Sequence, residues 1–96
     1  MLKVLQDPEE AAIYLESALE DGNEAVFLLA LRDVVEATVG MSELAEKTER
    51  NRESLYKTLS ATGNPRWSSV RSILDGLGYR LAIAELLWNN FNHSSN

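Results

Sequence analysis

Apolar residues recur at helical intervals along almost the whole chain. Ala11, Tyr14, Leu15, Ala18 and Leu19 are spaced three or four apart, which puts them on one stripe of a helix. Ahead of them, Asp7-Pro8-Glu9-Glu10 reads as a helix start. Asp7 offers a side-chain oxygen to the free first-turn amides, Pro8 suits a position whose N–H would be unpaired, and the two acids face the positive end of the helix dipole. Asp21-Gly22-Asn23 ends this helix, and Asn23 can cap the next. Over 24–38, Phe27, Ala30, Leu31 and Val34 form one stripe, which Leu28 and Val35 widen. A helix apolar around most of its circumference belongs at the centre of a fold. Gly40 ends it.

Two short helices follow. Ser42 is the expected cap of a segment reaching about Thr48, and Asn51 that of a second reaching about Ala61. Gly63-Asn64-Pro65 breaks the pattern. Val70, Ile73, Leu74 and Leu77 mark a fifth helix, with Ser68 as its expected cap and Gly78 as its end. Tyr79, Leu81 and Ile83 alternate with Arg80 and Ala82, which predicts a short extended stretch. Ala84, Leu87, Trp88 and Phe91 return to helical spacing, giving a C-terminal extension over about 79–92 before a polar tail. There is no internal repeat or low-complexity linker. The class is all-α, and 1–96 reads as a single domain.

The two short helices, over about 42–61, have the layout of a helix-turn-helix. Its first helix must approach the second closely, which calls for a small inner residue, and Ala45 supplies it. Leu44, Leu55 and Leu59 complete the expected core of the motif. The outer side of the second helix then carries Arg52, Glu53, Tyr56 and Lys57. An α-helix fits the major groove and meets base edges with its N-terminal residues. Arginine matches guanine, while lysine and arginine also grip phosphates. The candidate DNA-contacting residues are Arg50, Asn51, Arg52, Glu53, Ser54, Tyr56, Lys57 and Arg66. Arg52 and Glu53 could instead decorate an exposed helix end, and Tyr56 could pack at the domain edge.

Charge changes the picture. The 96 residues carry a net charge of −6, which at first argues against nucleic acid. The charge is uneven, however: residues 1–39 sum to −7, residues 40–80 to +2 and residues 81–96 to −1. The acidity lies in front of the candidate reading head, which suggests two surfaces with different partners. The acids Asp7, Glu9 and Glu10 are explained by their place at a helix start. The chain has no cysteine and a single histidine, His93, so thiolate chemistry, cysteine zinc sites and a His-based triad are excluded. No diagnostic carboxylate, hydroxyl and lysine spacing remains, so an enzyme is not expected, nor a cofactor. No run of about 18 apolar residues exists to span a bilayer, the N-terminus is too short and polar for a signal peptide, and the expected location is the cytoplasm. So short a chain buries only about 60–65 % of its unfolded surface, which favours a partner or a second copy. Trp88 with Leu87 and Phe91 is the expected oligomer contact, and Trp67 reads as a core or interface anchor.

The segments Met41-Ser42-Glu43-Leu44-Ala45-Glu46-Lys47-Thr48, Asn51-Arg52-Glu53-Ser54-Leu55-Tyr56-Lys57-Thr58-Leu59 and Gly63-Asn64-Pro65-Arg66 resemble the HigA-type addiction-module antidote family, antitoxins with a Cro/repressor-like helix-turn-helix. Tyr14 to Leu29 is similar to that family's leading helices, and the likeness spans about residues 11–83. It implies a lambda-repressor-like five-helix domain. It further implies an antitoxin that neutralises a RelE/ParE-superfamily toxin and represses its own operon by binding operator DNA, as a homodimer. The acidic face over 7–36 would meet the basic toxin. Two positions depart from the pattern: Glu49 stands where such turns commonly carry glycine, and Thr58 where many repressors place an aliphatic residue. Glu49 therefore calls for either a strained backbone or a turn opened by one residue. The alternatives are an interaction module whose helix-turn-helix no longer binds DNA, or a stand-alone small regulator.

Overall fold

The structure, a computed structural model, describes residues 2–85. A short 3-10 turn, Leu2–Gln6, precedes five α-helices: α1 (Pro8–Glu20), α2 (Glu24–Ala37), α3 (Met41–Lys47), α4 (Arg52–Thr58) and α5 (Trp67–Leu77). There is no strand among the described residues, and the arrangement is compatible with a small five-helix helix-turn-helix domain. None of these helices is long and apolar enough to cross a membrane.

The start of α1 follows its sequence. Asp7 Oδ1 accepts the Glu9 N–H at 3.0 Å, and Pro8 is the first helical residue. Ala11, Leu15 and Ala18 are buried against α2, while Leu19, at the edge of the same stripe, is 47 % exposed. Asn23 caps α2 through Oδ1, which accepts the Ala25 N–H at 2.9 Å. Phe27, Leu28, Ala30, Leu31, Val34 and Val35 are all buried, so α2 is the central helix that the breadth of its apolar surface requires. It packs on α1, on the 3-10 turn and on α3. Fully burying one such aliphatic side chain is worth about 1.5–3 kcal/mol. Every residue of the described buried core is apolar.

Three boundaries differ from expectation. Ser42 does not cap α3: the helix begins at Met41 behind Gly40, with no side-chain cap. The Gly40 N–H bonds back to the Val35 carbonyl at 2.7 Å, so the chain leaves α2 already aimed into α3, and buried Met41 anchors the first turn. Ser68 does not cap α5 either. Pro65 and an extended Arg66 deliver the chain to Trp67 as first helical residue, leaving Ser68 inside the helix. α4 stops at Thr58 rather than Ala61, and the Ser60 hydroxyl closes the turn on the Lys57 carbonyl at 2.9 Å.

α5 is locked at its C-terminal end. A Cβ on Gly76 would lie 2.8 Å from Leu44 Cδ1, so the missing side chain lets α5 settle on α3. Lys47 Nζ donates to the Gly76 carbonyl at 3.3 Å across the same contact. Gly78 is left-handed (φ +90°), and the Tyr79 N–H returns to the Leu74 carbonyl at 2.8 Å. The Tyr79 hydroxyl donates to the Pro8 carbonyl at 2.9 Å, tying the end of α5 to the start of α1. Burial, helped by the nearby Asp7 charge, raises the Tyr79 pKa. Residues 79–85 carry no regular secondary structure, so the expected extended stretch forms no strand. Leu87, Trp88 and Phe91 of the expected terminal helix, and His93, lie outside the described residues.

Candidate nucleic-acid interface

The α3–turn–α4 unit is built on four buried side chains. Leu44, Leu55 and Leu59 are fully buried and Ala45 nearly so. α3 packs against α4 on one side and α5 on the other. The connecting turn spends its backbone groups locally. The Glu49 N–H reaches the Glu46 carbonyl at 3.3 Å, and the Arg50 N–H reaches the Ala45 carbonyl at 2.9 Å. This pair of bonds needs a left-handed residue between them. Glu49 fills that place with φ +57°, and it has the only positive φ of any non-glycine residue described. Of the two outcomes the sequence allows, a strained backbone rather than an opened turn is the one present. Thr58 is half-buried rather than part of the core.

Asn51 closes the turn. Its Oδ1 accepts the Ser54 N–H at 2.7 Å, so this oxygen is engaged in capping α4. Ser54 is half-buried with its N–H engaged in that cap. Arg52, Glu53 and Lys57 are exposed on the outer side of α4, with Tyr56 half-buried beside them. Arg50, in the turn, is half-buried, and its Nε has no hydrogen-bond partner. Lys57 walls an open groove of about 380 Å³ with the Ser60–Pro65 loop. Arg66 is exposed on a different element, at the entry to α5.

The fold adds a residue that the sequence pattern did not single out. Arg32 of α2 lies with its guanidinium carbon 5.1 Å from the Tyr56 ring centroid, while that of Arg52 lies 5.7 Å from the same point. Two cations from two helices thus share one ring. Such contacts are worth about 0.5–1 kcal/mol at exposed sites. Helical periodicity carries no sign of this pairing, because residues 32 and 56 meet only through the packing of whole helices, α2 beside α4.

Most acids of the front half, Asp7, Glu9, Glu10, Glu16, Glu20, Asp21, Glu24 and Glu36, are exposed. Asp33 is half-buried and accepts the Tyr14 hydroxyl at 2.7 Å, joining α1 to α2. That hydrogen bond, with burial and the carboxylate charge, raises the Tyr14 pKa.

Known proteins share this sequence pattern. Residues 1–85 match the family model described as probable addiction module antidote protein. A Haemophilus influenzae protein, described only as uncharacterized, is 35 % identical over 81 residues, covering 84 % of this chain and 82 % of that protein. No solved structure matches the chain significantly. With the family model spanning all five helices, this chain belongs to the addiction module antidote family.

Proposed function

We propose that the protein is the antitoxin of a toxin–antitoxin module, of the HigA type, that binds its own operator through α3 and α4 and neutralises a basic RelE/ParE-superfamily toxin. The observation that carries the reading is the joint arrangement of the motif: Leu44, Ala45, Leu55 and Leu59 buried behind it, with Arg52, Glu53 and Lys57 exposed in front. α4 enters the major groove, Arg52 and Glu53 in its first turn face base edges, and Lys57 and Arg66 meet phosphates. Asn51 acts first as a cap. One such helix reads only a half-site, so the operator-bound species is a homodimer. The exposed acids of α1 and the start of α2 attract the basic toxin. The protein acts in the cytoplasm, without a cofactor and without catalysis.

The test is binding of a labelled duplex from the region upstream of the protein's own reading frame, titrated across salt concentration. A steep salt slope that weakens in Arg52→Ala supports the reading, and unchanged binding in Arg52→Ala ends the base-contact role. The −6 net charge favours one second reading, an interaction module that has lost DNA binding. That module would copurify with the neighbouring gene product and show no preference for the upstream duplex.

A further inference from the structure

Arg32 is one of only two basic residues among residues 1–39, where nine acids surround it in sequence. Its side chain leaves that acidic half and reaches the Tyr56 ring on α4. It also faces Glu36 one helical turn on, with Nε 3.7 Å from Oε2 and both side chains a little over one-third exposed (37 % and 36 %). A long, solvent-screened ion pair of this kind holds weakly. The Arg32 guanidinium carbon sits over the Tyr56 ring, and a cation held there by its π-face contact keeps N–H groups available to an anion. In helix-turn-helix docking the second helix occupies the groove and flanking elements contact the backbone beside it. Arg32 is such a flanking group, held against the second helix by a residue of that helix. A basic toxin would repel it, so the chemistry fits a phosphate.

We infer that Arg32 is a phosphate-contacting residue of the DNA-facing surface, contributed by α2 from outside the helix-turn-helix, positioned by Tyr56 and restrained in the free protein by Glu36. The inference rests on the operator-binding reading above and adds a residue and a restraint to it. When DNA docks, the phosphate replaces the Glu36 carboxylate at the guanidinium edge while the ring contact persists.

The experiment compares the full chain with Arg32→Gln, Glu36→Gln, the double variant and Arg52→Gln. Each is titrated against a labelled duplex from the upstream region and a scrambled duplex of the same composition. Arg32→Gln is expected to weaken binding to both duplexes alike and to flatten the salt slope by about 1 for each phosphate that Arg32 neutralises. Its affinity deficit should therefore be about 3–4 times larger at roughly 50 mM than at roughly 200 mM salt. Glu36→Gln is expected to tighten binding more in the parent than in the Arg32→Gln background, because losing any carboxylate near the phosphates helps a little while freeing Arg32 adds the rest. An unchanged slope in Arg32→Gln, with Arg52→Gln weakened, would overturn the inference while leaving operator binding in place. Tightening by Glu36→Gln that is undiminished in the double variant would also overturn it. If the parent fails to prefer the upstream duplex and Arg52→Gln changes nothing, operator binding itself falls and takes the inference with it. Thermal melts accompany each variant, and should Arg32→Gln lower the melting temperature, Arg32→Lys replaces it, expected to keep the slope while giving up the ring-guided geometry and part of the affinity.

Discussion

Replacing Glu49 by glycine should make this protein more stable. Glu49 holds φ +57° at the end of α3, where it closes the turn into α4. A side chain in that conformation costs about 1–2 kcal/mol. Glycine removes the cost but gains freedom in the unfolded chain, which returns about 0.5–1 kcal/mol. A negative charge at a helix C-terminus also opposes the dipole, by about 0.3–1 kcal/mol before salt screening. Glu49 is exposed and its side chain makes no hydrogen bond or ion pair among the described residues, so little goes with it. The net expectation is a gain of about 1 kcal/mol, or about 4–8 °C in melting temperature for a domain of this size. The end of α5 provides the opposite control. Gly78 has φ +90° and nothing within 4 Å of the place a Cβ would occupy, so Gly78→Ala changes backbone preference without a clash. It should cost about 1 kcal/mol. Circular-dichroism melts at matched protein concentration read both, since self-association would make the melting temperature concentration-dependent. Glu49→Gln separates the dipole contribution from the backbone one. A neutral or destabilising Glu49→Gly would refute the reasoning, and would mean that the turn does not hold its left-handed residue in solution.

Other outcomes rest on the core, the caps and the two tyrosine hydroxyls that hydrogen-bond across helices. Leu55 is fully buried beneath α4, so Leu55→Ala should cost about 2–5 kcal/mol in urea unfolding, a large part of a typical total of about 5–15 kcal/mol. Asn51→Ala should cost about 1 kcal/mol by loss of the Ser54 cap, whereas Asn51→Ser should retain nearly all of the stability; equal losses would show that Asn51 is not acting as a cap. The Tyr14 and Tyr79 hydroxyls have raised pKa values, so the neutral phenol is the form the fold favours. Their contribution is complete below the ordinary tyrosine value near 10 and is lost as pH rises through the higher folded values. Melting temperature should therefore fall more steeply above about pH 10 in the parent than in the Tyr14→Phe, Tyr79→Phe double variant, and parallel curves would discount both hydroxyls.

Much of this protein is decided within a few residues along the chain. Asp7, Asn23 and Asn51 cap because the amides they satisfy lie two or three positions on. The breadth of the apolar surface over 24–37 made α2 central before any partner was placed. The spacing of Leu44, Ala45, Leu55 and Leu59 specifies the buried side of α3 and α4, while Glu49, standing where such turns commonly carry glycine, left strain and an opened turn both possible until the fold decided for strain. Where the sequence misled, a neighbouring constraint outranked a good local signal. Ser42 and Ser68 are sound capping residues, yet the chain's exit from α2 through Gly40 and its extended passage through Pro65 and Arg66 start each helix ahead of them. Only the tertiary structure could decide the rest. The packing of α2 beside α4 brings Arg32 to Tyr56, the seating of α5 on α3 explains Gly76, and the closure of α5 onto α1 joins Tyr79 to Pro8. The physical reason is one of range: caps and stripes are set by backbone geometry over one or two turns, whereas a guanidinium meets a ring 24 positions away only after whole helices have chosen how to pack.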